Sequence, residues 1–423
     1  MRMARSVDNQ FNISDQQFSC TDCGQCCRDW YVALLPEDKR RLAELNWQAA
    51  DEISEKFMTT IKGDDYVAHN DDGTCIYFDR TARNCKIHAR FGEAVKPLGC
   101  RVYPYNIEAT FENNYSVLAR FDCPAVREQH GHPINRDKRA IRKFTDALRL
   151  GPGFDRLDRE GLAQGAIEKV VAALFKLVIG NKTIDCPTAL ITANVAVYRI
   201  EVLGADFLND VNPNKILEPL LQRVVADVTA VPTTRRVKIF ERWRFMALFA
   251  AFMRRDESLI GQGVGGRVRR TRALMRMILG TGNLRDLGEE HPDVAVTHAD
   301  LFAAPIVNRK DVDWSLYLDM VKVRLQTYQF FGAANFNTGV YFGLQSLFLT
   351  FPLVVAAAKW HALERDLERC ELLPEDIDYA VGAIDHAFGR AQVLNMKIYR
   401  TVSRQMVDVD AYRRLICSLL HAK

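Results

Sequence analysis

Apolar residues recur at helical spacing through most of the chain beyond residue 138. "LAQGAIEKVVAALFKLVIG", "RWRFMALFAAFMRR", "RTRALMRMILG" and "DWSLYLDMVKVRLQTYQFF" each carry an apolar stripe with polar positions between. The first closes on Gly180, a residue type that ends helices because it accepts left-handed backbone. The front of the chain has another rhythm. "CIYFDRTARNCKIH" reads as two short strands about a polar turn, and "IEATFENNYSVLARF" repeats that form about Glu112, Asn113 and Asn114. Ahead of both, "LPEDKRRLAEL" opens with Pro36 and acidic residues, the pattern of a helix start. The polar stretch "REQHGHPINRDKR" suits a linker between the two regimes. The expected fold is α+β, mainly α. A small loop- and hairpin-rich, cysteine-bearing metal-binding domain over 1–127 is followed by a linker at 128–137 and a helical domain over 138–423.

One run stands apart in this pattern: Val340 to Ala358 carries no charged residue. It includes Gly343, Gln345, Ser346, Thr350 and Pro352, and no second such span accompanies it, so it reads as a buried helix rather than a membrane crossing. Composition agrees with a soluble, folded chain. Of 423 residues, 48% are hydrophobic and 26% charged, enough for more than one core. The net charge of +4 leaves no global basic field, so nucleic acid is not expected as a partner. "MRMARSVDNQFNI" lacks the apolar stretch of a signal peptide, which points to the cytoplasm, where thiols stay reduced.

That expectation bears on the cysteines. Eight of the eleven, Cys20, Cys23, Cys26, Cys27, Cys75, Cys85, Cys100 and Cys123, precede residue 124. A chain of this length does not need disulfides to fold, and reduced thiolates suit zinc, copper or iron–sulfur centres. "CTDCGQC" supplies the two-residue gap twice, and Gly24 inside it permits the positive φ that a tight ligand loop needs. Adjacent side chains diverge, so Cys26 and Cys27 either serve different centres or contribute one ligand between them. Cys75 follows an Asp-Gly turn, Cys85 lies in a hairpin, Cys100 follows Gly99, and Cys123 precedes a proline, as at some ferredoxin ligands. All eight are candidate metal ligands, making one centre or two. His88 reads as an ordinary imidazole, and Cys186, Cys370 and Cys417 as packed thiols.

The segments "FSCTDCGQCCRDWYVAL", "DDGTCIYFD", "NCKIHARFGEAVKPLGCRVYPYN" and "FDCPA" together resemble the CxxCxxCC family of zinc- or iron-chelating cysteine-cluster domains. Within it they look most like the flagellin lysine N-methylases, on Trp30 after the double cysteine, on "CKIHARFGEAVKPLGCRVYP", on "CP" after a hairpin, and on a long helical C-terminal part. The resemblance implies a metal-bearing enzyme that moves methyl groups from S-adenosylmethionine to lysines of a protein substrate, flagellin. The implied cofactors are zinc or an iron–sulfur cluster of the 4Fe–4S type, the Cys-Pro pair favouring the latter, together with S-adenosylmethionine. A non-enzymatic zinc or iron–sulfur protein, whether binding module, electron carrier or metal-handling accessory, is the alternative, because thiolates identify metal affinity and no reaction.

No residue is assigned to catalysis or to S-adenosylmethionine. "LIGQGVGGRVRR" lacks a preceding strand and reads as a helix connector; the arginines from Arg267 to Arg276 read as a solvated helical face, and Tyr103 and Tyr105 either orient an amine near the metal domain or pack around the cluster. The C-x3-C-x2-C triplet of radical enzymes is absent from the first cluster, so polar methyl transfer is the expected chemistry.

Overall fold

Val340–Arg365 forms a single helix, and between Val340 and Leu363 only Ser346 and His361 escape burial. It is long and apolar enough to cross a membrane, yet it is enclosed by protein. Helices Cys186–Leu203, Pro374–Ala387, Lys397–Met406 and Val409–Leu419 pack around it. Their shared core runs through Phe245, Phe249, Phe348, Phe351 and Trp360. An uncharged run buried on every side needs no polar face, which is why this helix lacks the stripe its neighbours show. Its one deep charge, Lys359, donates to the carbonyls of Ala304 at 2.7 Å and Leu419 at 3.1 Å.

This computed structural model describes residues 11–28, 30–47, 57–61, 63–70, 73–111, 114–151, 153, 158–210, 214–229, 236–254, 263–279, 281–287, 291–293 and 296–420. The first ten residues of the leader stretch, the turn residues Glu112 and Asn113, and the "LIGQ" half of the glycine run lie outside them. The other half of that run does not connect helices. Gly263 opens the helix Gly263–Leu279, whose first turn tolerates glycine because its N–H groups have no intrahelical partner.

The front region is built from short pieces. The hairpin strands Tyr105–Ala109 and Tyr115–Ala119 pair antiparallel with Ile107 opposite Val117, and Phe11–Ile13 adds to the second strand in parallel. Alternate residues Tyr105 and Ile107 face a small core shared with Leu98, Cys123, Val126, Ile134 and Ile141. Phe78–Asp79 pairs with Asn84–Cys85 as expected, and Met58–Ile61 with Asp64–Val67 makes a further hairpin. A second core gathers Val32, Leu34, Leu42, Val67, Tyr77 and Ile87. The stretch 128–137, expected as a linker, is packed on this region: His132–Pro133 pairs with Gln17–Phe18, and Ile134 is wholly buried.

Charged groups, most of them buried, join the two regions. Arg324 pairs with Asp385 in the interior, and the other Asp385 oxygen accepts the Phe121 N–H at 2.9 Å. Asp122 pairs with Arg120 and with His386 Nδ1 at 3.0 Å, while Arg127 reaches Asp378 at 2.6 Å. Burial alone would raise the Asp385 carboxyl; Arg324 and Arg390 outweigh it and hold the group ionised below its usual range.

Candidate metal centre

Three local devices hold the first cysteine group. Gly24 adopts φ 74° with its Cα against the Phe78 ring, where a Cβ would lie 2.3 Å from a ring carbon. Only glycine satisfies both the left-handed backbone and the contact. Gly24 O then accepts the Cys27 N–H at 2.9 Å, closing the turn Gln25–Cys27. The Cys27 carbonyl in turn accepts the Cys75 N–H at 2.7 Å, which ties the first group to the second across nearly fifty residues of chain.

Cys100 is delivered by the short helix Leu98–Val102. Its first N–H, on Leu98, donates to both Asp38 oxygens at 3.2 Å, and Asp38 is almost wholly buried. Arg41 pairs with Asp38 and donates to the carbonyls of Val95 at 3.0 Å and Lys96 at 3.1 Å. Helix Pro36–Ala43 is thus the brace that sets the segment leading into Cys100. Cys85 ends the 84–85 strand opposite Phe78, and Cys123 immediately precedes the helix Pro124–Arg127, so these two sit at the ends of regular elements.

The thiols influence one another in a definite pattern. All eleven cysteines are free of disulfides. Burial pushes the Cys75 thiol well above its ordinary value, and the like charges of Cys100, Cys85 and Cys26 add to it. Cys100 is raised by burial, then by Cys26 and Cys85. Cys26 is raised by its hydrogen bond with Cys27, then by burial and the neighbouring sulfurs. Cys26, Cys75, Cys85 and Cys100, all half-buried, therefore share one neighbourhood, with Cys27 and Cys23 acting on Cys26 and Cys26 acting on Cys20. Cys123 belongs to the other small core; burial pushes it up to about 12, with Asp122 and Cys23 contributing. Tyr103 stands between the two groups, its charge state sensitive to both Cys26 and Cys123, and its hydroxyl 3.3 Å from Asp122.

Among the described residues, no three His, Cys, Asp or Glu side chains already form a shell that could hold an ion. The donor set nevertheless fits a thiophilic metal. Several thiols whose ionisation is opposed by burial and by one another are the groups a cation would convert to thiolates, and such shells close upon loading. His88 lies exposed on the helix Lys86–Phe91, and Cys186, Cys370 and Cys417 are elsewhere in the fold. Tyr105 donates to Asp137 at 2.6 Å.

With this geometry in place, comparison with known proteins adds a family. Residues 19–123 match the CxxCxxCC model, described as "Putative zinc- or iron-chelating domain". The cysteine-bearing region is thus similar to that family over about a quarter of the chain. It shares 27% identity over 93 residues with an uncharacterized protein of Methanocaldococcus jannaschii, covering 22% of this chain and 46% of that protein, about half its length. No solved structure matches.

Two features of the CxxCxxCC region had no clear signal in the sequence. Lys96 lies near Cys85, Cys100, Cys26 and Cys20; burial works against its charge, and those four sulfurs more than offset it. A cation there would balance the net negative charge that several thiolates keep even around a divalent metal. Its only trace in the sequence is its place four residues before Cys100. The Asp38–Arg41 brace is likewise invisible locally, since its target lies 60 residues on.

Proposed function

We propose that the chain is a metalloprotein whose principal centre is held by Cys26, Cys75, Cys85 and Cys100, with Cys20, Cys23, Cys27 and Cys123 available to a second. The observation that carries this reading is that Cys26 and Cys85 lie close enough to both Cys75 and Cys100 to act on their thiols. Bound zinc or an iron–sulfur cluster would supply the positive charge that keeps them ionised and would cross-link three chain segments. Lys96 balances the remaining negative charge, Asp38 and Arg41 set the Cys100 segment, and Trp30 and Tyr103, with ring centroids 5.4 Å apart, shield the side toward Asp122.

For the activity, we propose methyl transfer from S-adenosylmethionine to lysines of a protein, flagellin being the substrate the sequence pattern implies, in the cytoplasm and without nucleic acid or membrane. What supports it is the pattern around Trp30 and from Cys85 to Pro104. A lysine amine, with an ordinary pKa of about 10.4, must shed its proton before its lone pair attacks the sulfonium methyl. The metal is structural on this reading. Anaerobically purified, metal-assayed protein is incubated with methyl-labelled S-adenosylmethionine and flagellin from the same cell. Label on flagellin lysines is expected. Fully metal-loaded protein that neither binds S-adenosylmethionine nor transfers label establishes the non-enzymatic metal module instead.

A further inference from the structure

The helical body contains a cleft that its own packing leaves open. It measures about 40 Å³, is open to solvent on one side, and lies between Phe336, Phe342, Phe388 and the helix Lys397–Met406. Its floor is Ser346, one of the two positions where the central helix is not buried. One charged group on its wall has no other duty. Arg400 is half-buried and makes no ion pair among the described residues. No acidic residue lines the cleft, and the Arg404 guanidinium, 4.4 Å over the Phe342 ring, adds positive charge at its edge.

The segment that wraps the cleft is held in an uncommon backbone. Phe336 and Asn337 take φ of 49° and 55°, left-handed values costly for residues with a Cβ. Gly389, at φ 72°, lets the opposite wall approach so closely that a Cβ would lie 2.0 Å from the Ala334 carbonyl. Such conformations persist where surrounding structure fixes them, and they gather at ligand sites.

We propose that this cleft binds a small organic carboxylate with a flat apolar body. The ring lies among Phe336, Phe342 and Phe388, and the carboxylate pairs with Arg400. Aromatic walls with one guanidinium select a planar anion over both a neutral ring and a small inorganic ion. The site is one ring away from the junction with the front region. Phe388 carries Arg324 on its ring at 4.5 Å, and Arg324 pairs with the Asp385 that accepts the Phe121 N–H.

The test titrates the metal-loaded full chain with benzoate and with its neutral analogue benzamide, followed by ligand-observed NMR. Benzoate is expected to bind about tenfold more tightly than benzamide, the preference a charge-assisted pair gives. Arg400→Gln removes that preference, and Ser346→Leu, which fills the floor, removes binding of both, with thermal midpoints near that of the parent protein. Absent benzoate binding, equal binding of the two probes, or a preference unchanged in Arg400→Gln overturns the proposal. The readout is binding alone, so it stands apart from the outcome of metal or methyl-transfer assays.

Discussion

The helical body packs one continuous set of large side chains around Val340–Arg365, from Phe245 and Phe249 to Trp360 and Tyr412, while the front region divides far fewer between two small cores. One of those cores has only Val32, Leu34, Leu42, Val67, Tyr77 and Ile87 fully buried, with Cys75, Cys85 and Cys100 at its edge. Short strands, turns and four- to eight-residue helices carry a high ordering cost per apolar contact. Regions of that kind are commonly stapled by metal or disulfide, and here the disulfides are absent and the thiols are gathered. On the proposed reading, the contrast teaches where the stability of each region comes from: burial in one, cross-linking by metal in the other.

The sharpest way to break this comparison is to remove the metal. Chelation at neutral pH, or Cys100→Ser, is expected to abolish amide-exchange protection through residues 30–47 and 73–111 and to leave Val340–Arg365 protected. The scale is large, since structural zinc contributes roughly 10–16 kcal/mol in small metal-dependent folds. Equal loss in both regions contradicts the division. Next in size is the junction. Asp385→Asn leaves Arg324 uncompensated in the interior and is expected to cost about 3–5 kcal/mol, read from urea midpoints. Pairing it with Arg324→Met should recover part of that cost, because the pair's burial penalty then disappears too.

Gly24→Ala probes the ligand loop itself. The left-handed φ and the Phe78 contact both oppose a Cβ, so a loss of about 1 kcal/mol or more is expected, together with weaker metal retention under competing chelator. The smallest effect is a pH dependence in the helical body. Burial raises Glu160 to about 7 although its carboxylate accepts the Tyr341 N–H at 2.7 Å. The folded state thus holds a proton that the unfolded state has released above about 4.3, so stability falls as pH rises from there to 7. Glu160→Gln should flatten that slope in the thermal midpoint.

Much of the helical body was legible because its 3.6-residue period is written in consecutive side chains, and the 340–358 run read correctly as a buried helix from its lack of charge and its polar interruptions. The two cysteine-region hairpins were legible through their turns. The parallel addition of Phe11–Ile13 to Tyr115–Ala119 was not, because partners a hundred residues apart leave no local pattern. Residues 128–137 looked like a linker through their polar majority; one apolar side chain, Ile134, and backbone pairing with Gln17–Phe18 dock them instead. For the site, the density of thiols marked the region, while the grouping of Cys26 with Cys75, Cys85 and Cys100, and the place of Lys96 and Asp38 beside them, depended on the fold. The Arg324–Asp385 pair spans 61 positions and could be seen only in three dimensions.

The central claim is tested most directly by the metal content of the full chain, purified without oxygen and assayed for zinc, iron and acid-labile sulfide, beside a Cys26→Ser, Cys100→Ser double variant. Metal in stoichiometric amount in the parent and its loss from the variant, with the helical body still folded, is the expected result. Parent protein free of metal, or a double variant that retains all of it, contradicts the account.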